Sequence, residues 1–276
     1  MHDPTTNTVD RSAGAATEPS HALPFRFSAP DRPGGTVVDL FDADPDFAVG
    51  LLDRARLGPA GLLVPSLRPA AGPWAPADRL AHAVAVVVLD GILVGAGTTF
   101  GRPDSRLLGP GDTLDGPTLT NPDTVWRTLT PAHLAVLDRT FVLAARRCPT
   151  LIVALARRLS EAQQEQHIRA AICAMPRVEE RILALLCHLA HRWGHVTPDG
   201  VTLALPITHQ LLGSLIGARR PTVSLALRTL GDQRLLRRRD DLWILPLDCD
   251  TWPASGVPRP PAGEISPGGH PGQPEP

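Results

Sequence analysis

Residues 205–245 read LPITHQLLGSLIGARRPTVSLALRTLGDQRLLRRRDDLWIL, two short helical patterns separated by a glycine and a pair of arginines. This stretch constrains the fold most, because it asks for two crossed helices over one small core. The Thr208 hydroxyl is placed to cap the first helix, leaving Leu211, Leu212, Leu215 and Ile216 for that core. Gly217 supplies the C-cap conformation in which the chain reverses. The second helix is expected to begin around Arg219, with Pro221 tolerated in its first turn and Val223, Leu227 and Leu230 directed inward. Arg219, Arg220, Thr222, Ser224 and Arg228 are left for the exposed surface. Asp240-Asp241 is then positioned to turn a two-stranded wing that carries Arg237, Arg238 and Arg239.

Such a unit suits double-stranded DNA. A helix fits the major groove, where an arginine fork addresses guanine O6 and N7, while hydroxyls and amides near the helix start hold phosphates. The formal charge of the whole chain is −1, but from Arg177 to Pro246 ten arginines face six acidic residues, a local excess of four positive charges. That excess permits DNA binding without establishing it. All 27 basic residues are arginine and none is lysine, which reads as a coding bias and lowers the weight of any single arginine. A helical hairpin with a solvated face, Thr208 a plain cap and Ser224 a surface hydroxyl, stays open as the plainer alternative.

The whole 276-residue chain has material for one large domain or two ordinary ones. Residues 1–35 and 250–276, rich in Pro and Gly, bury too little apolar area to offset the entropy of ordering and are expected to be flexible. Residues 36–148 show short apolar runs punctuated by Gly and Pro, expected to form a small antiparallel β-sandwich or barrel with flanking helices. Within AHAVAVVVLDGILVGAG, Asp90-Gly91 reads as a hairpin turn. PAHLAVLDRTFVLAARRC predicts a helix starting near Pro131, and residues 149–174 a longer one. On that longer helix Ile152, Leu155, Leu159, Ala162 and Gln166 recur at intervals of three and four. Such a seam suits parallel dimerisation, or else packs on the chain's own barrel. RVEERILALLCHLAHRWG adds an amphipathic helix with Ile182, Leu183, Leu186 and Leu189 on its apolar side, and GVTLALP a short strand.

Other chemistries have little support. Cys148, Cys173, Cys187 and Cys249 form no CxxC pair, and His188, His191 and His195 lack nearby partners for a metal site, so no metal or cofactor is expected. No phosphate-binding loop or nucleophile arrangement points to an enzyme. The start of the chain lacks the apolar core of a signal peptide, and 18 uninterrupted apolar residues occur nowhere, so a cytoplasmic protein without a membrane partner is expected.

The order of these elements resembles the Crp/Fnr superfamily of transcriptional regulators, carried most specifically by LPITHQLLGSLIGARRPTVSLALRTL and supported by ALARRLSEA and RVEERILALLCHLA. The resemblance implies an α+β chain: an antiparallel, cyclic-nucleotide-binding-like barrel or jelly roll over 36–148, a dimerisation helix over 149–174 and a winged helix-turn-helix over 175–249. It implies a homodimer reading a pseudo-palindromic DNA site through Arg219, Arg220, Thr222 and Ser224, with Thr208, His209, Arg228 and the wing arginines as further DNA-binding candidates. RNA polymerase and an unidentified small-molecule effector are further partners to consider. Arg220 matches an arginine that commonly reads guanine and Thr222 a hydroxyl used on phosphate. Pro221 and Leu225 stand where an acidic residue and an arginine are familiar, so a module with a degenerate DNA-binding domain is the alternative. Cyclic-nucleotide binders of this family carry a glycine-led turn, a glutamate and an Arg-Ser or Arg-Thr pair. GPGDTLDGPTLTNPDTVWRTL keeps the turn but no glutamate, and Arg127-Thr128 falls too late in the chain. Ala162 and Gln163 replace the hydroxyl pair used on the purine, so the family's usual binding of cyclic AMP is not expected.

Overall fold

The structure, a computed structural model, describes residues 36–58, 61–76, 80–99 and 101–246. The flexible ends expected for 1–35 and 250–276 fall outside them.

The first half is built from two open antiparallel sheets. Strands β1 (Val37–Asp39), β2 (Leu63–Leu67), β4 (Ala85–Asp90), β7 (Thr113–Asp115) and β9 (His133–Leu137) form one, in the order β1-β2-β9-β4-β7. Strands β3 (Gly72–Trp74), β5 (Leu93–Thr99), β6 (Arg102–Leu108) and β8 (Val125–Thr128) form the other, in the order β3-β8-β5-β6. The β4 run explains itself by what covers it. Val86 and Val88 enter a core shared with Leu93, Leu108 and Trp126 of the second sheet, whereas Ala85 and Val87 face a helical layer. A strand covered on both faces reads as a continuous apolar run rather than an alternation.

Three expectations are corrected here. The sheets do not close into a barrel, since β1 and β7 pair with no strand of the second sheet. Asp90-Gly91 makes a turn, with Gly91 at φ +83°, but not a hairpin: β4 pairs with β7 and β9, while β5 pairs with β6 and β8. The chain crosses there from one sheet to the other. Lastly, no helix starts at Pro131. Residues His133–Leu137 are strand β9, paired with β2 and β4, and the helix begins only after Asp138, whose carboxylate accepts the Thr140 N–H at 2.8 Å.

Short helices α1 (Leu40–Ala43) and α2 (Gly116–Leu119) decorate the sheets, and α3 (Arg139–Arg147) leads into α4 (Thr150–Ala174). The first half of α4 lays Leu151, Ala154 and Leu155 on the outer face of the first sheet. There Arg158, 7% exposed, donates to both carboxylate oxygens of Asp44 at 2.6 and 2.7 Å and to the Gly111 carbonyl at 3.1 Å. Further along, Ile172 joins a different core, with α5 (Val178–Trp193), α6 (His209–Ile216) and α7 (Arg220–Asp232). Strands β10 (His195–Thr197), β11 (Gly200–Ala204), β12 (Arg237–Arg239) and β13 (Leu242–Leu245) close this second half in the order β10-β11-β13-β12. Ile92, Val94 and Leu107 of the sheet half belong to the same cluster as Ile182, Leu186 and Leu215, so that cluster joins the two halves.

Candidate nucleic-acid interface

Helices α6 and α7 form the expected pair. Thr208 caps α6 by accepting the Leu211 N–H at 3.2 Å, and Gly217 adopts the left-handed conformation at φ +68° that ends it. A residue with a Cβ is disfavoured there, so the glycine sets the angle of the turn. Helix α7 opens with Arg219 as its N-cap and Pro221 in its first turn, where the missing N–H costs little. Val223, Ala226 and Leu230 are buried, and Leu227 packs against the same core. Arg219, Arg220, Pro221, Thr222, Ser224, Leu225 and Arg228 are exposed, and Leu225 is 66% exposed. Its position on this face was set by burial of the opposite one, not by any polar signal.

The start of α6, the face of α7 and the wing converge. His209 Nδ1 lies 2.9 Å from Ser224 Oγ, and that hydroxyl donates to the Arg220 carbonyl at 3.1 Å. With the hydroxyl so committed, Nδ1 is the donor in the consistent tautomer. Partial burial, followed by the charges of Arg238 and Arg220, pushes the His209 pKa down, so the ring is neutral at pH 7. The wing turns at Asp240 with φ +48°, as expected, and pairs Arg237–Arg239 with Leu242–Ile244. Arg238 stacks 4.4 Å from the Trp243 ring centroid and donates from Nε to the Asp240 carbonyl at 2.8 Å. Arg237 donates to the Asp199 carbonyl at 3.2 Å, and Arg239 is exposed. The structure thus brings His209, Ser224 and Arg220 together with Arg238 of the wing, and leaves Arg219, Thr222, Arg228 and Arg239 exposed.

The seam on α4 is placed differently from a free dimer face. Ile152 is 52% exposed, but Leu155 is buried, Leu159 packs on the same core, and Ala162 and Gln166 line a cleft within the chain. The exposed row lies one residue further along: Val153, Ala156, Ser160, Gln163, His167, Ala170 and Ala174. Arg127 and Thr128 sit on β8, and the Thr128 hydroxyl donates to the Ala70 and Gly72 carbonyls.

Sequence reasoning missed the contacts that dock α5 and the helices after it on the sheets. Arg192 of α5 donates to Asp112 at 2.6 Å and to Glu165 of α4 at 3.1 Å, and Glu165 also meets His188 Nε2 at 2.7 Å. Trp193 donates to the Pro110 carbonyl at 3.3 Å, and its ring covers Gly109, where an added Cβ would lie 2.5 Å from it. Burial raises the Asp112 pKa even beside Arg192. Burial pushes Glu165 up too, but its hydrogen bond to His188 and the charge of Arg192 outweigh that and hold it below the ordinary value. The hydrogen-bond partners lie up to 83 residues apart, and only the His188/Arg192 spacing of four gave a local sign.

Residues 180–250 match the Crp-like helix-turn-helix domain family. A structure of TTHB099, a transcriptional regulator of the CRP family from Thermus thermophilus, is similar over 67% of this chain and 93% of that one, at 18% identity and TM-score 0.53. The chain has the Crp/Fnr regulator fold. A CooA mutant from Carboxydothermus hydrogenoformans shares this fold at 16% identity over 67% of this chain and 84% of that one, TM-score 0.53. So does a cyclic nucleotide-binding domain containing protein from Listeria monocytogenes, at 16% identity, 67% and 89% coverage and TM-score 0.54. Comparison with curated proteins gives no match. This Crp/Fnr fold shows, among its described residues, no group of three His, Cys, Asp or Glu arranged for a metal ion and no helix long and apolar enough to cross a membrane.

Proposed function

We propose that this chain is a sequence-specific, DNA-binding transcriptional regulator that acts as a homodimer on a pseudo-palindromic site. The observation that carries the reading is the exposed row Arg219, Arg220, Thr222, Ser224 and Arg228 on a helix whose opposite side is anchored in the core, flanked by the wing arginines. Arg220 reads a base, Thr222 and the start of α7 hold phosphate, and Arg239 meets the flanking backbone. Two such heads related by a twofold axis address major grooves about 34 Å apart. The dimer forms along the outward row of α4 that begins at Val153. RNA polymerase and an effector are partners in this reading. Cyclic AMP held in the family's usual way is not, because the Gly111 turn is followed by neither a glutamate nor an Arg-Ser pair.

Selection from a randomised duplex pool, followed by fluorescence anisotropy, tests this. A two-part motif should be enriched. Arg220→Ala should then lose discrimination at one base pair of each half-site by about 1–3 kcal/mol. Failure to enrich any motif at low salt would favour a module whose winged helix no longer reads DNA. An unchanged ratio of cognate to scrambled binding in Arg220→Ala would remove Arg220 as a base reader.

A further inference from the structure

An α-helix advances about 100° per residue, so the side of α7 that faces the core fixes the side that faces out. Val223, Ala226 and Leu230 are buried, and the exposed positions opposite them are Pro221, Leu225 and Arg228, which follow one another by four and three residues along a single ridge. Arg220 and Ser224 flank this ridge on one side, Thr222 and Thr229 on the other. The first two residues of the ridge present carbon alone. Pro221 has no N–H to offer, and the Leu225 side chain is 66% exposed. Two flanking hydroxyls add little polarity, because both turn back onto the helix backbone: Ser224 donates to the Arg220 carbonyl at 3.1 Å and Thr229 to the Leu225 carbonyl at 3.2 Å. The surround is cationic, with Arg219 and Arg220 at the start of the ridge and Arg228 at its end, all exposed.

An apolar side chain among arginines fits few partners. An apolar protein surface would strip water from the guanidinium groups and return no negative charge. A polyanion with an apolar spot on the floor of its groove suits both kinds of side chain. The major groove of DNA has one, since thymine alone among the bases carries an apolar substituent there, its C5 methyl. RNA does not fit: uracil lacks that methyl, and the major groove of an A-form helix is too deep and narrow for side chains to read. Resting on the DNA-binding reading above, we propose that Leu225 reads the C5 methyl of one thymine in each half-site. Arg220 lies five residues earlier, about 7.5 Å along the helix axis. Successive bases of a strand are about 3.4 Å apart, so the thymine lies within about three base pairs of the pair that Arg220 addresses.

The test uses the full chain and the duplex enriched by selection. Each thymine is replaced in turn, in both half-sites, by deoxyuridine, which removes the methyl and keeps the base pair, and affinity is read by fluorescence anisotropy at fixed salt. One thymine per half-site, at the stated spacing, should respond. Its replacement in both halves should weaken binding by about ten- to fifteenfold, or three- to fourfold per half-site, the worth of one buried carbon in each. Leu225→Ala, which suits an exposed helix position, should weaken binding to the thymine duplex by at least that factor and leave less than about a twofold response to deoxyuridine. An enriched motif in which no thymine responds to loss of its methyl overturns the proposal. So does an equal response in wild type and Leu225→Ala, which would give the methyl to another side chain. The deoxyuridine series on the wild-type chain needs no folded variant. A pool that yields no motif sinks the DNA-binding reading and this one with it, whereas a motif without a methyl effect sinks this one alone.

Discussion

Asp44 shows what a single residue decides. Its carboxylate is 10% exposed and holds Arg158 by both oxygens, fastening α4 to the sheets. Asp44→Ala leaves a guanidinium buried beside Phe47, with the Gly111 carbonyl as acceptor and the half-exposed Glu161 carboxylate no nearer than 3.9 Å. Urea unfolding should register a loss of about 3–5 kcal/mol. A loss below about 1 kcal/mol would class the pair with exposed ones. Nothing in the sequence announced this contact, because the partners are 114 residues apart. Thr208 and Gly217 were legible for the opposite reason: a cap and a left-handed turn act within three or four residues, where sequence and geometry coincide.

At the scale of elements, spacing fixed the length of α4 but not which way it turns. The seam inferred from Leu155 and Leu159 is apolar because those residues cover the chain's own sheet, and the outward row, one residue on, is small and polar. Strand β9 was misread for a related reason: HLAVL suits either period, and pairing with β2 and β4 decided it. Helix α4 also carries Glu165, whose pKa is depressed in the folded state. Its contribution is therefore present above the ordinary glutamate pKa and fades as pH falls through the lower folded value. Glu165→Gln should cost about 1.5–3 kcal/mol at neutral pH. Calorimetric melts should show the gap from wild type closing in acid, below about pH 4. Asp112, with a raised pKa, works in the other direction and favours the fold below its unfolded pKa, so it cannot produce that closing gap. A gap constant with pH would mean that the Glu165 contacts act through shape, not charge.

For the whole molecule, the homodimer proposed above turns on the outward row of α4. Val153 is 67% exposed, so Val153→Arg should fold normally yet shift the chain to monomer in light-scattering chromatography and weaken palindromic DNA far more than a half-site. A persistent dimer would move the interface off this row. The order of parts was legible because each segment carries its own period, whereas the crossing at Asp90-Gly91 was not, since a turn states its own geometry and not the sheet its second strand joins.

The cluster joining Ile92, Val94 and Leu107 to the winged helices carries a cost for anyone who would cut this protein in two. A fragment starting at residue 175 would surrender those neighbours and uncover greasy area on α5 and α6, so excision should yield a sticky, weakly folded piece, while the intact chain melts in one step.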